Sequence, residues 1–244
     1  MITIKKGSII GIIGQVGAGK GTIIDIIRNL TNNPMQATWG NTNILNFGDN
    51  LKKVLSIMFN IKLEYFYDRK CKDELYYNIR SRTFISKTED ENSKTYTFVD
   101  HLRLNNINNR FYIYYNGLFK YIDIVNDPFV CIKLRELLQL FGTNLCKTLF
   151  GKNIWVNSTL TNYKIDMVNI IGDIRFQEEI DAIKDIAPEV HIIKIVNTNS
   201  ICKKYDHPSE NILNLDADIS FVWDGNDINY LVNLIKSNIK YEDS

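Results

Sequence analysis

Apolar positions fall into two periods along this chain. Ser8-Ile9-Ile10-Gly11-Ile12-Ile13 is a short, almost continuous apolar run, the pattern of a strand buried on both faces. Beyond a glycine-rich stretch, Ile23, Ile24, Ile27 and Leu30 recur at helical spacing, so strand, glycine loop and helix follow directly. Leu51, Val54, Leu55 and Met58 form a second helical stripe. Leu134, Leu137, Leu138 and Phe141 form a third, predicted to stop at Gly142. Three branched runs of strand length follow: Met167–Ile171, Val190–Val196 and Ala217–Val222. Phe176, Ile180 and Ile183 place a helix between the first two, ended by Pro188. A last stripe, Ile228, Leu231, Val232, Ile235 and Ile239, opens on Asn226-Asp227 as candidate caps.

Strands alternating with helices predict an α/β fold, a parallel sheet with helices on both faces. The middle breaks that rhythm. Thr83–Ser93 is polar without an apolar period and reads as a loop. Arg110–Tyr115 and Leu118–Ile124 are aromatic and branched runs around Asn116-Gly117, a hairpin signal. The expectation is one domain over residues 1–244 carrying an antiparallel hairpin insertion at about 80–127.

Composition narrows the class. The 244 residues are 45% hydrophobic and 23% charged, enough for a core and too apolar for disorder. Lys+Arg 29 against Asp+Glu 28 gives a net charge of +1, no footprint for nucleic acid. No apolar run reaches membrane-spanning length, and Met1-Ile2-Thr3-Ile4 leads into a strand pattern, not a signal sequence. Cys71, Cys131, Cys146 and Cys202 lie far apart, as incidental reduced thiols in a cytoplasmic protein would.

Gly14-Gln15-Val16-Gly17-Ala18-Gly19-Lys20-Gly21-Thr22 has the spacing of a phosphate-binding loop, or P-loop. Glycines reach the backbone angles that turn successive N–H groups inward and let phosphate oxygens approach the main chain. Lys20 adds a point charge for the outer phosphates, and the helix beginning beneath adds free amides and its dipole. The usual hydroxyl after the lysine is replaced by Gly21, with Thr22 one later, an ending found in adenylate-kinase-like nucleoside monophosphate kinases. Phosphoryl transfer further needs cations, a metal and an acceptor pocket. Gly172-Asp173-Ile174-Arg175 follows a strand, where a carboxylate can hold magnesium and an arginine can reach phosphate. The plainer alternative is that Asp173 caps a helix beside a surface Arg175. Lys52 and Arg69, taken singly, read as solvated cations. His101, His191 and His207 lack metal-ligand spacing, and His191 reads as a structural strand histidine.

Five blocks in order resemble the deoxynucleoside monophosphate kinases of tailed bacteriophages and large DNA viruses. They are the loop Gly14–Thr22; Phe47-Gly48-Asp49-Asn50-Leu51-Lys52 with Tyr67-Asp68-Arg69; and Leu134-Arg135-Glu136-Leu137-Leu138-Gln139-Leu140-Phe141-Gly142-Thr143 followed by Trp155. Gly172-Asp173-Ile174-Arg175-Phe176-Gln177-Glu178-Glu179 and His207-Pro208-Ser209-Glu210 complete the set. Residues 80–127 are not covered, and Gly21 stands where members of the family often carry an acidic residue. The resemblance implies that Gly14, Gly17, Ala18, Gly19, Lys20, Gly21 and Thr22 bind ATP. It also implies that Lys52, Arg69 and Arg135 clamp the acceptor phosphate. Gly142, Thr143 and Trp155 would belong to the deoxynucleotide pocket, and Asp173, Arg175 and Glu179 to the reaction centre. Lys20, Arg135, Asp173 and Arg175 are then the catalytic set, with Thr22 and Asp173 on the metal.

The expected activity is transfer of the γ-phosphoryl of ATP, with Mg2+, to a deoxynucleoside monophosphate (dNMP) such as dTMP or dGMP, yielding DNA precursors. Another small P-loop kinase, acting on phosphomevalonate or dephospho-coenzyme A, would share the loop. A nucleotide switch or ATPase would more often show a guanine-reading segment or a strand ending in paired acids. Small-molecule partners are expected, without nucleic acid or membrane, in the cytoplasm of the cell or, for a virus, of its host. The aromatic run Phe111, Tyr112, Tyr114, Tyr115, Phe119 and Tyr121 is a candidate homodimer contact if exposed, and an ordinary packed hairpin otherwise.

Overall fold

A computed structural model of the chain describes residues 1–31, 42–78, 83–85, 111–115, 118–122, 131–199, 212 and 214–242. In chain order, the first elements are β1 (Ile2–Ile4), β2 (Ile9–Gly14), α1 (Lys20–Thr31), β3 (Thr42–Leu45) and α2 (Phe47–Phe59). A 3-10 turn, Leu63–Phe66, leads to α3 (Arg69–Asp73), β4 (Tyr76–Asn78), β5 (Thr83–Ile85), β6 (Phe111–Tyr115), β7 (Leu118–Ile122) and β8 (Cys131–Ile132). Then α4 (Leu134–Gln139) runs through a π-helical segment, Leu140–Cys146, into α5 (Lys147–Phe150), followed by α6 (Ile154–Leu160). The chain closes with β9 (Val168–Ile171), α7 (Gln177–Ile186), β10 (Val190–Asn197), β11 (Ile219–Trp223), α8 (Ile228–Asn238) and β12 (Ile239–Tyr241). These elements form two compact units, Met1–Phe47 with Trp155–Ser244, and Gly48–Ile154.

The first unit holds a five-stranded sheet in the order β11-β10-β2-β9-β3, every pair parallel. All six residues of β2 are buried, which is why its sequence is apolar without alternation. Ile10, Ile12, Ile193 and Ile195 pack with Ile23 and Ile27 of α1 and Leu231 and Ile235 of α8. Each such side chain contributes about 1.5–3 kcal/mol by leaving water. Helix α7 packs on β10 and presents Ile180 and Ile183 as its buried stripe, as the spacing predicts. Ala187, preceding Pro188, is extended and ends it. The Asp227 carboxylate accepts from the Tyr230 amide, so the expected cap opens α8. Ile239 departs from its expected helical place: it is extended, buried and paired with Ile2 in the parallel β1–β12 ribbon.

The second unit is antiparallel where it is sheet, with β4 between β5 and β8, and β6 paired to β7. The β6–β7 register joins Tyr115 to Leu118, which agrees with the hairpin read from the sequence. Residues 116–117 and the hairpin's side chains lie outside the described set, as do His101, His207, Ser209 and Glu210. The antiparallel part is wider than 80–127, because Tyr76–Asn78 and Cys131–Ile132 belong to it.

Three expectations are corrected here. Thr83–Ile85 is a strand, not loop; its pairing with β4 sets Phe84 edge-on to Tyr65 and Tyr77, with centroids 5.0 and 5.2 Å apart. Three residues are too few to show a period. The buried face of α2 is Phe47, Leu51 and Leu55, whereas Val54 and Met58 are exposed. The third helical run does not stop at Gly142, which is buried inside the π segment; it ends at Gly151, whose φ of +93° suits a terminating glycine.

Candidate active site

The P-loop leaves β2 at Gly14 and enters α1 at Lys20. Gly17 and Gly19 have φ of +81° and +98°, the left-handed conformation that side chains resist. The Ala18 amide closes a turn on the Gln15 carbonyl, 3.1 Å away. Ala18 is buried, while Gly21 is exposed and Thr22 half-buried in the first turn of α1. Lys20 Nζ donates to the carbonyls of Gly14 and Gln15, the latter at 2.9 Å, so the charge is folded over the loop. A cradle of amides with a lysine on its rim binds polyphosphate by geometry and charge together.

Asp173 and Arg175 stand just beyond the carboxyl end of β9. Gly172 is pressed close to α1: a Cβ on it would lie 3.0 Å from Ile24 Cδ1. Asp173 Oδ1 accepts from the Phe47 amide at 2.7 Å, so the helix-capping alternative is present at this carboxylate. Glu179 is buried, and its Oε2 accepts from the amides of Arg175 at 2.8 Å and Phe176 at 3.2 Å. Its carboxylate therefore shapes the turn that carries Arg175 and starts α7. Trp155 is buried on α6 beside Val156 and Thr159. His191 is structural, with Nε2 3.0 Å from the Thr3 carbonyl.

In the second unit carboxylates hold two of the three candidate cations, Lys52 and Arg135. Lys52 Nζ lies 3.0 Å from Asp49 Oδ1 and 4.0 Å from the centroid of the Tyr67 ring. The Tyr67 hydroxyl donates to the same Asp49 oxygen at 2.8 Å. Arg135 grips Asp73 with two parallel bonds, Nε to Oδ1 at 2.9 Å and Nη2 to Oδ2 at 3.1 Å. Arg69 is exposed on the first turn of α3, which Asp68 caps by accepting from the Cys71 amide at 2.7 Å. That bond holds the Asp68 carboxyl below its ordinary range, and burial pushes the thiols of Cys71 and Cys146 up. Gly142 and Thr143 both sit in the π-helical segment.

A family profile described as deoxynucleotide monophosphate kinase matches residues 8–235, from the start of the P-loop strand into α8. The chain belongs to that family. It is a phosphotransferase, a nucleoside monophosphate kinase, and its five-stranded parallel sheet flanked by helices agrees with a P-loop kinase fold. No curated protein matches the chain as a relative. Among the described residues of this kinase, no helix is long and apolar enough to cross a membrane.

Asp49, Tyr67 and Asp73 carry no assigned role on sequence alone. Asp49 and Lys52 are three apart on a helix, a visible signal. Asp73 and Arg135 are separated by 62 positions, and no local pattern joins them.

Proposed function

We propose that the kinase transfers the γ-phosphoryl of ATP to a deoxynucleoside 5′-monophosphate, dTMP or dGMP among the acceptors, giving the diphosphate for DNA synthesis. The observation that carries this reading is the P-loop, with its inward-turning glycines and Lys20 folded over it, in a chain of this family. An acceptor phosphate oxygen attacks the γ-phosphorus in line and ADP leaves, so no protein nucleophile is needed.

Catalysis then rests on charge and position. Lys20 and the loop amides hold the donor's β- and γ-phosphates. Arg175, on the turn shaped by Glu179, offsets charge on the transferring group. Lys52, Arg69 and Arg135 offer phosphate-binding cations for the acceptor, and Gly142, Thr143 and Trp155 contribute to deoxynucleotide recognition. Thr22 and Asp173 are hard oxygen donors, the kind magnesium takes, and no group of three His, Cys, Asp or Glu among the described residues makes a protein cage. That set fits an ion held largely by substrate phosphates, which when bound would neutralise their charge.

The test is ADP release with ATP and magnesium against dTMP, dGMP, dCMP, dAMP and GMP. Turnover with one or more deoxy acceptors, reduced at least about a hundredfold in Lys20→Ala, is the expected result. ADP release indifferent to every acceptor would overturn the reading.

A further inference from the structure

Two side chains outside the P-loop hold its carbonyl groups. Trp223 Nε1 donates to the Ala18 carbonyl at 2.8 Å in a buried bond. Asn197 Nδ2 donates to the Gly17 carbonyl at 3.3 Å. These are the last residues of β11 and β10, and the parallel register sets Asn197 directly opposite Trp223. The next pairing brings Ile195 against Gly14, where the loop begins. Three adjacent strands thus finish together, the middle one of the sheet carrying the loop and the other two carrying its ties.

We propose that Trp223 is a positioning residue for the phosphate-binding loop, with Asn197 as a second tie. A trans peptide points its carbonyl and its N–H in opposite directions. Fixing the Ala18 oxygen on the indole therefore fixes the Gly19 N–H toward the opposite side, where the donor's phosphates would lie. Asn197 acts on the neighbouring peptide, whose Ala18 amide is already closed on Gln15. With Lys20 on the carbonyls of Gly14 and Gln15, side chains hold both ends of the loop. Gly19 is what admits the indole: a Cβ there would lie 2.7 Å from Trp223 Cζ2 and 3.3 Å from Cε2. The pair Gly19 and Trp223 is thus one device, in which the missing side chain of the first makes room for the second.

This inference rests on the loop binding the ATP donor. The informative variant is Trp223→Phe, which keeps most of the aromatic bulk and deletes the N–H. ATP affinity is measured by calorimetry without acceptor, acceptor KM at saturating ATP, and thermal stability alongside. The expected result is an ATP Kd raised about five- to tenfold, the scale of one lost hydrogen bond, with acceptor KM within about twofold of wild type. An unchanged ATP Kd, or equal losses for ATP and acceptor tracking a lower melting temperature, overturns the proposal and leaves Trp223 structural. If Trp223→Phe does not fold, the half-exposed Asn197→Ala carries the test, with ATP Kd raised about two- to threefold expected and no change overturning it. Wild-type enzyme that binds no ATP, or shows no acceptor-dependent turnover, would instead overturn the proposed function itself.

Discussion

Under the proposed function the two units would meet phosphate in different ways. In the first, the cations Lys20 and Arg175 join main-chain amides that are held by glycine conformations and by side chains tying the loop's carbonyls back. In the second, the groups are side-chain cations, and carboxylates hold two of them: Asp49 beside Lys52 and Asp73 against Arg135. A backbone cradle has one shape and little tolerance. A paired cation keeps its charge through many substitutions and loses mainly its aim. The contrast predicts large, stepwise losses in the first unit and graded ones in the second.

The largest effect after Lys20 should come from Arg175→Ala, a drop in kcat of about a hundredfold, read in steady-state turnover at saturating substrates. Melting temperature is read alongside, and the Glu179 bond to the main-chain amide of residue 175 survives the substitution. Full turnover in the purified variant would remove Arg175 from the reaction centre and weaken the contrast at its stronger pole.

A smaller, more selective effect is expected in the second unit. Arg135→Lys keeps the charge and loses the two-pronged grip on Asp73, so acceptor KM should rise about tenfold while ATP KM stays put. Asp73→Asn leaves the guanidinium in place with a weaker orienting partner, and acceptor KM should rise about threefold. Equal changes in both KM values would mean that the pair supports the fold and does not serve the acceptor.

The same contrast explains what could be read in advance. Strand Ile9–Gly14 and helix Lys20–Thr31 announce themselves because burial on both sheet faces leaves a continuous apolar run and amphipathic packing leaves a helical period. The glycines of the loop are legible because positive φ selects one residue type. Trp223 is not legible as a loop tie, since it stands more than two hundred positions away, |i−j| of 205, and only the parallel register brings it there. Asp73 is hidden from Arg135 in the same way. Gly142 looks like a stop on sequence alone, because a glycine after an apolar stripe commonly ends a helix; in the fold it is buried within the helical run. Side chains that act at long range leave no spacing to find.

The smallest effect tests the one glycine of Gly14–Thr22 that neither a positive φ nor a close neighbour requires. Gly21 is exposed in the first turn of α1, has no positive φ, and a Cβ there would meet nothing within 4 Å. Glycine in a helix costs about 0.5–1 kcal/mol relative to alanine, through the extra freedom of the unfolded chain. Gly21→Ala should therefore raise the melting temperature by about 1–3 °C in calorimetry, with ATP Kd unchanged. Gly19→Ala, two residues earlier, must fail on both readouts, because its Cβ would enter the indole and its φ is +98°. If Gly21→Ala instead weakens ATP binding as Gly19→Ala does, the strict tolerances of the cradle extend into the helix. The boundary between backbone-made and side-chain-made binding would then lie beyond Thr22.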